Sequence, residues 1–410
     1  MSGTLEMEQN IGTRLTSRQA ALFDLVAEAL STFTSPHARS LRGRTYDAGP
    51  AVLVALASAA GQLDLDEVAG AALAAWLDRC EGTSNYAGLF GGLTGLFVGV
   101  HSASTFCPRL IPLAGQLRDT LAAWATSGLW RTEEIEWQDY DLISGPSGMI
   151  LALTADPTCI PECILPAARH LALLCDRDDM DRLRIHAYSG DEQRGWNCGR
   201  INTGLAHGVG GVVAALRSAC ETDESIYEEL RTPLRRACRW FVRESYVDDR
   251  GLRTWHPAAL EGAPRPSGAS RRQAWCYGTP GLAWTLWEAG RVLDDVSLRA
   301  FAEEAMRSFC AAFDEQLYID DGPADDALGI CHGAAGTLAI ADAFALHCGH
   351  VEAKTLAEQL EAYLLRRVDD IRQLANENMT LLSGASGILA VLLIRCGVSQ
   401  RDWLSQIALR

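Results

Sequence analysis

Two kinds of apolar pattern alternate along this chain. In the first, apolar residues occupy nearly every position, as in Gly384-Ala-Ser-Gly-Ile-Leu-Ala-Val-Leu-Leu-Ile394, which is typical of fully buried helices. In the second, apolar residues recur at helical spacing and leave a charged face. This second pattern predicts amphipathic helices at roughly Arg18–Phe33, Asp66–Cys80, Ser225–Ser245, Val296–Leu317 and Val351–Ile371. The alternation predicts a layer of buried helices inside a layer of amphipathic ones.

A Gly-x-x-Gly tetrad opens each buried run. An eroded copy at Tyr46–Val52 has valine in place of the second glycine. The six complete tetrads are Gly92/Gly95, Gly145/Gly148, Gly208/Gly211, Gly278/Gly281, Gly333/Gly336 and Gly384/Gly387. Such self-similarity indicates a repeat architecture, and glycines three apart let backbones approach closely. We therefore predict an all-α fold, an α/α toroid of seven inner and seven outer helices. One domain would span residues 1–410, with all inner-helix N-termini on one rim.

Two of the seven units carry additional residues, near 176–202 and 247–272. Both stretches are polar and rich in turn-forming residues, which predicts loops or short β hairpins on the rim. Long loops that a rigid scaffold positions are common sites of substrate contact. We therefore expect these insertions to border the functional face.

Composition excludes several classes of protein. No apolar run reaches the roughly 18 residues of a membrane-spanning helix, and the acidic, polar start of the chain does not resemble a signal peptide. Thirteen cysteines, an odd number, suit a reducing compartment better than a disulfide framework. These features predict a cytoplasmic protein. The formal net charge of -16 argues against a nucleic-acid partner and would suit a cationic peptide.

The candidate chemistry lies just before the tetrads of the fifth and sixth units. Cys276 and Cys331 occupy the same register, two residues before the first glycine, and His332 follows Cys331. A single cysteine in such a place is usually a small buried apolar residue. Two at matched register with an adjacent histidine instead indicate a zinc site, because three protein ligands leave one position open for chemistry.

Four further residues share this rim, and each has a simpler interpretation. His207 and Tyr277 directly precede a tetrad, where either side chain can be structural. Asp141 could be a helix N-cap, and Arg272, beside Arg271, could be a solvated loop residue.

Three other groups of polar residues lie off the glycine register: Cys159/Cys163, His347/His350, and the acidic residues Asp320, Asp321, Asp325 and Asp326. We interpret the acidic group as a solvated loop. The alternative for it is a role in binding a diphosphate–metal complex.

A zinc site with two thiolates and one imidazole suits the activation of an external thiol. Free cysteine has a pKa of about 8.5, and metal coordination removes that limit on thiolate concentration. The converging helix N-termini also favour negative charge. A histidine nearby could then move the thiol proton.

Several motifs that contain these residues resemble those of the lanthipeptide cyclases of the LanC type. The matching motifs, in order, are Tyr140-Asp141-Leu-Ile-Ser-Gly, Ala206-His207-Gly, Arg272-x-x-Trp275-Cys276-Tyr277-Gly and Cys331-His332-Gly. The resemblance implies the toroid fold and one Zn²⁺ per chain, bound by Cys276, Cys331 and His332. It implies intramolecular Michael addition of cysteine thiols to dehydroalanine or dehydrobutyrine, giving lanthionine or methyllanthionine. It further implies His207 as acid/base, assisted by Asp141, with Arg272 stabilising the enolate and Tyr277 supporting the site.

The resemblance also implies partners. These are a dehydrated precursor peptide with its leader, a separate dehydratase, because no dehydratase domain precedes the toroid, and an exporter in a membrane-associated biosynthetic complex. The insertion at 247–272 matches no family motif, so leader recognition stays unassigned.

Other functions stay open on the sequence alone. The same zinc site would serve a LanC-like protein that binds glutathione or adds it to other molecules. An α/α-toroid glycosidase would need paired carboxylates on the rim, where only Asp141 is found. A purely structural scaffold would not need cysteines at matched register.

Overall fold

Seven buried helices form the inner layer of the part of the chain that the structure describes. The computed structural model describes residues 16–35, 47–59, 66–81, 86–319 and 324–409. The inner helices are apolar nearly all round, and every residue from Ala385 to Leu393 is buried. They span Gly49–Ala59, Leu93–Ser104, Pro146–Thr154, Val209–Cys220, Thr279–Val292, Ala334–Cys348 and Ala385–Arg395. Tyr46, in the eroded first copy, lies outside the described residues.

The inner helices close into a ring. Each contacts the next one along the chain, and the seventh contacts the first. An outer helix packs on each unit: Ser17–Thr34, Asp66–Cys80, Ile111–Thr126, Leu165–Leu174, Glu224–Glu244, Val296–Ala312 and Val351–Arg366. The N-terminal helix Ser17–Thr34 completes the outer layer by packing between the last unit and the helix Asp66–Cys80. The predicted α/α toroid is confirmed.

Element boundaries differ from the sequence prediction in four places. The predicted helix Val296–Leu317 ends at Ala312, and the short helix Glu315–Tyr318 follows it. Two outer helices, Ile111–Thr126 and Leu165–Leu174, were not delimited by their apolar pattern. The predicted helix Val351–Ile371 ends at Arg366, and a separate helix, Val368–Glu377, follows it. Additional short elements are the helices Glu315–Tyr318 and Ala324–Leu328, and 3-10 turns at Pro108–Leu110, Trp137–Asp139, Pro161–Cys163, Asp181–Leu183, Gly195–Asn197 and Asp402–Ile407.

Backbone hydrogen bonds join the loops that precede the inner helices. From the second unit to the seventh, each loop bonds to the loop of the next unit, so these helix N-termini share one rim. The bonds are Leu89 N to Ile143 O (2.9 Å), Leu142 N to Ala206 O (3.1 Å), Leu205 N to Cys276 O (2.8 Å), Cys276 N to Cys331 O (3.3 Å) and Ile330 N to Leu382 O (2.7 Å). The junction between the last and first units is different. There the Leu381 N–H donates to the buried Asp47 carboxylate at 2.8 Å, and Gly49 N donates to the same group at 2.8 Å.

Both insertions contain a two-stranded antiparallel hairpin. Arg184–Ile185 pairs with Arg200–Ile201, and Tyr246–Val247 pairs with Arg253–Thr254. A bond from Thr203 N to the Pro257 carbonyl (3.0 Å) ties the two insertions together. No helix among the described residues has the length and apolar character needed to cross a membrane.

The C-terminal turn Asp402–Ile407 lies inside the ring. It contacts the inner helix of the third unit, and the Ile407 carbonyl accepts a hydrogen bond from the Trp275 indole of the fifth unit at 2.9 Å. Arg401 donates to the Ala339 carbonyl of the sixth unit at 3.0 Å. Because these units are not all neighbours, a segment that contacts all three must occupy the axis of the toroid.

Candidate metal centre

Two adjacent inner helices position the metal-capable side chains. Cys276 precedes the helix Thr279–Val292, and Cys331 and His332 precede Ala334–Cys348. The second glycine of each tetrad lets its loop fold back onto the helix. A Cβ at Gly336 would lie 1.9 Å from the Ile330 carbonyl oxygen, and one at Gly281 would lie 2.0 Å from the Trp275 oxygen. The residues just before both cysteines are therefore held against the helix starts.

The three side chains meet at the rim. One ligand atom from each of Cys276, Cys331 and His332 lies within 4.8 Å of the others. The Cys331 Sγ–His332 Nε2 distance is 3.7 Å. Tetrahedral zinc with ordinary Zn–S and Zn–N bonds requires roughly 3.6 Å between these atoms, so the donor set fits the ion. Within the described ranges, neither Cys159/Cys163 nor His347/His350 belongs to a comparable group of three.

Cys276, Cys331 and His332, which we call the metal group, strongly perturb one another's pKa values. A hydrogen bond from the Cys276 thiol, reinforced by His332, lowers the pKa of Cys331 to about 5. Burial raises the pKa of Cys276 well above its usual range, and Cys331 adds to the effect. The neighbouring thiolate raises the pKa of His332 to about 9. At neutral pH the two sulfurs therefore share one proton, and the Cys331 thiolate pairs with a protonated His332. A metal ion bound here would displace the protons of Cys276 and His332.

Asp326 holds the far side of the histidine. The His332 Nδ1 lies 3.1 Å from the Asp326 carboxylate, while Nε2 faces the Cys331 sulfur. A carboxylate on the second ring nitrogen fixes the orientation of a metal-binding histidine. The sequence predicts a solvated loop for Asp326, and its side chain is half exposed, but it also contacts His332. Asp320 and Asp321 and the Asp325 side chain lie outside the described residues.

His207 and Asp141 form a second polar pair on the rim. The His207 Nδ1–H donates to Asp141 Oδ2 at 2.6 Å. Asp141 is fully buried, and its other oxygen accepts from the amides of Ser144 (2.7 Å) and Gly145 (2.9 Å). Asp141 is therefore both the helix-start acceptor and the partner of His207. With Nδ1 occupied, His207 Nε2 is the nitrogen that can exchange a proton.

Trp137 packs against the His207–Asp141 pair, although no sequence pattern indicated this contact. Its ring stacks on the His207 imidazole with centroids 4.0 Å apart. The His207 carbonyl also accepts a hydrogen bond from the Tyr140 hydroxyl at 2.8 Å. Ring and backbone of His207 are thus both fixed. His207 lies close enough to the metal group that its charge lowers the pKa of Cys331.

Tyr277 and Arg272 border the same group. Burial raises the pKa of Tyr277, and its hydroxyl accepts a hydrogen bond from the Asn202 amide at 2.9 Å. Arg272 is exposed, and its charge lowers the pKa of Cys276. Its side chain lies between two openings in the rim, one toward Tyr277 and one toward His332.

Comparison with known proteins identifies the family. Residues 46–405 match the family model described as lanthionine synthetase C-like protein. The chain belongs to this family. It is 25% identical over 282 residues to the nisin biosynthesis protein NisC of Lactococcus lactis subsp. lactis, an alignment that covers 63% of this chain and spans 62% of that relative's length. The solved structure of nisin cyclase superposes with a TM-score of 0.77 at 19% identity, covering 95% of this chain and 98% of that chain.

The family resemblance read from the sequence motifs is thereby confirmed, as is the toroid fold. The structure brings all seven residues of this lanthionine synthetase C-like chain that were singled out to one arc of the rim: Asp141, His207, Arg272, Cys276, Tyr277, Cys331 and His332.

Proposed function

We propose that this protein is a zinc-dependent peptide cyclase. It would catalyse intramolecular Michael addition of a cysteine thiol to dehydroalanine or dehydrobutyrine, forming lanthionine or methyllanthionine rings in a ribosomal precursor peptide. The observation that carries the proposal is the convergence of Cys276, Cys331 and His332 within 4.8 Å beside the His207–Asp141 pair. Membership of the lanthionine synthetase C-like family supports it.

Cys276, Cys331 and His332 would hold the zinc ion. When bound, zinc supplies the positive charge that keeps a substrate thiol ionised at neutral pH. Asp326 would hold His332 so that Nε2 stays directed at the metal. Tyr277, anchored by Asn202, would form the adjoining wall.

His207 would move the proton. His207 Nε2 takes the thiol proton, and the resulting thiolate sulfur then attacks the β-carbon of the dehydro residue, so that one C–S bond forms. The electron pair of the C=C bond shifts toward the carbonyl oxygen, and the Arg272 guanidinium stabilises this enolate. The α-carbon then receives a proton from His207, so substrate and product have the same atoms. The Asp141 carboxylate, fixed by two backbone amides, stabilises the imidazolium in between.

The wider setting is part of the proposal. The substrate would be a dehydrated precursor peptide with its leader, delivered by a separate dehydratase and passed to an exporter. The chain would act in the cytoplasm as one domain over residues 1–410.

Mass spectrometry with thiol alkylation tests the proposal. A dehydrated precursor is incubated with and without the zinc-loaded protein and then alkylated. Cyclisation leaves the mass unchanged but removes alkylatable thiols. Persistence of every thiol in the presence of the protein would refute cyclase activity.

A second arm tests the glutathione alternative. A dehydrated peptide without cysteine is incubated with glutathione and the protein. A mass increase of one glutathione per dehydro residue, seen only with the protein, would assign it intermolecular thiol addition instead.

A further inference from the structure

A cleft opens beside the metal group, on the Tyr277 side. It has a volume of about 640 Å³ and runs between the two insertions. Its lining combines one inner-rim residue with side chains from both insertions: Gly195, Trp196, Cys198, Arg200, His256, Pro257, Arg272 and Tyr277. Because Tyr277 directly follows Cys276, the cleft is open to a peptide whose thiol reaches the metal group.

The cleft is locally cationic in an acidic protein. Two arginines and a histidine line it, and no carboxylate does. Among the residues that the structure describes, neither Arg200 nor Arg272 has a carboxylate within 4.0 Å. The neighbouring strand shows the contrast, since Arg184 is paired with Asp181 at 2.9 Å and Glu261 at 2.6 Å. The cleft arginines therefore present unneutralised guanidinium groups to a ligand.

An aromatic wall accompanies the charge. Trp196 is 44% exposed, and its ring lies edge-on to Tyr277 with centroids 6.2 Å apart. An exposed tryptophan beside guanidinium groups is a common composition for binding peptide segments. The cleft thus offers an apolar surface with charged groups that select carboxylates.

We propose that this cleft binds an acidic segment of the peptide substrate, with Asp or Glu side chains a few residues from the reacting thiol, and that Arg200 is the residue that selects it. The inference rests on the proposed function. It also reverses the expectation from the net charge of -16: although the chain as a whole would attract cationic peptides, the surface next to the metal group would select anionic ones.

The test compares a matched pair of dehydrated peptides, each with one cysteine and one dehydroalanine. One has Asp and Glu beside the cysteine, and the other has Asn and Gln. The wild-type protein should close the acidic peptide with roughly tenfold higher kcat/KM, equivalent to about 1.4 kcal/mol. Arg200→Ala should abolish the preference, Arg200→Glu should invert it, and Arg200→Lys should retain part of it.

The matched control is Arg109→Glu. Arg109 is exposed and follows the C-terminal end of an inner helix, so it lies on the opposite rim. This variant changes the net charge by the same amount as Arg200→Glu, and it should keep the acidic preference. Equal rates for the two peptides with the wild type, or equal losses in the two charge-reversed variants, would overturn the proposal.

A binding measurement separates this proposal from the cyclase itself. Fluorescently labelled peptides with serine for cysteine and alanine for dehydroalanine cannot react, and their affinity is read by anisotropy. Tighter binding of the acidic peptide, lost in Arg200→Glu but not in Arg109→Glu, supports the cleft even if no ring ever forms. Ring closure without any such difference in binding would support cyclase activity and would refute the proposal that the cleft selects acidic segments.

Discussion

His207 depends on three neighbours for its proposed work. Trp137 fixes the plane of its ring, Tyr140 holds its backbone carbonyl, and Asp141 holds Nδ1. A carboxylate in that position sets the tautomer of His207, because it can only accept a hydrogen bond from the imidazole N–H. The side chain is therefore prepared to exchange protons at Nε2 alone.

Substitution of His207 separates proton transfer from metal binding. His207→Ala should retain about one zinc per chain and lower the ring-closure rate by roughly 10²–10⁴-fold. Cys276→Ala and Cys331→Ala should lose the zinc. Zinc content by elemental analysis, with rates by thiol alkylation, distinguishes these outcomes. Unchanged cyclisation by His207→Ala would remove that residue from the mechanism.

Asp141→Asn tests the tautomer. The asparagine oxygen can still accept from the Ser144 and Gly145 amides, but its NH₂ group would donate to His207 Nδ1 and move the imidazole proton to Nε2. We expect normal zinc content and stability with a large loss of kcat. Ser144→Ala is the control and should retain most activity. Equal rates for Asp141→Asn and wild type would contradict the assigned role.

Asp326 should affect zinc affinity before it affects anything else. Asp326→Ala removes the acceptor from His332 Nδ1, and loss of such a partner typically weakens metal binding by roughly 10–100-fold. Asp326→Asn keeps an oxygen acceptor and should restore most of the affinity. Competition with a chromophoric chelator measures both. Wild-type affinity in Asp326→Ala would show that the contact is incidental.

At the scale of elements, the glycine tetrads connect fold and site. The loop that carries the metal group lies on the helix that follows it, and only a missing side chain permits that approach. Ile330, against which Gly336 packs, directly precedes Cys331. Tight packing here therefore sets the position of Cys331, a proposed zinc ligand.

Gly336→Ala should disturb stability and metal binding together. Its Cβ would lie 1.9 Å from the Ile330 oxygen, so the Cys331 loop must shift, at a cost of about 1–3 kcal/mol and with weaker zinc binding. Gly115→Ala is the matched control: it lies in an outer helix, with its nearest neighbour 3.8 Å from the added Cβ. That change should stabilise the protein by about 0.4–1 kcal/mol. Urea midpoints and chelator competition measure the two effects, and similar results for both variants would contradict this account.

At the scale of the whole molecule, the ring is closed by one buried acid. Asp47 accepts from Leu381, 334 residues away in sequence, and burial raises its pKa to about 6. Because the folded-state pKa lies above the unfolded value, the folded state binds the proton more tightly. This group therefore contributes stability that is fully present below about pH 4 and is lost as the pH rises through 6.

Asp47→Asn should remove that pH dependence. In zinc-free protein, the unfolding free energy of wild type minus that of Asp47→Asn should fall by about 2.4 kcal/mol between pH 4 and pH 7. Urea denaturation at several pH values measures the difference. A difference that does not change with pH would show that Asp47 does not titrate in this range.

Which features of the fold and of the candidate site can be predicted from the sequence depends on how each contact arises. The glycine register predicted the toroid and placed Cys276 and Cys331 in adjacent units, because repeats translate sequence order into spatial order. The contacts of Trp137 with His207 and Asp326 with His332 depend on side-chain directions that no repeat encodes. The bond between Asp47 and Leu381 depends on closure of the whole ring.

A ring of helices suggests a passage, but here the axis is filled by the segment from Asp402 to Leu409, in which Leu404, Ile407 and Leu409 are completely buried. A substrate peptide of the proposed cyclase would therefore not pass through the ring, and it would bind and leave at the rim that carries Cys276, Cys331 and His332. If a precursor acquires several thioether bridges, each bridge would require the precursor peptide to dissociate from the rim and to bind again through a different segment. The order in which bridges form would then depend on competition among segments of the precursor for one binding site. It would not depend on the direction in which the peptide passes through a channel.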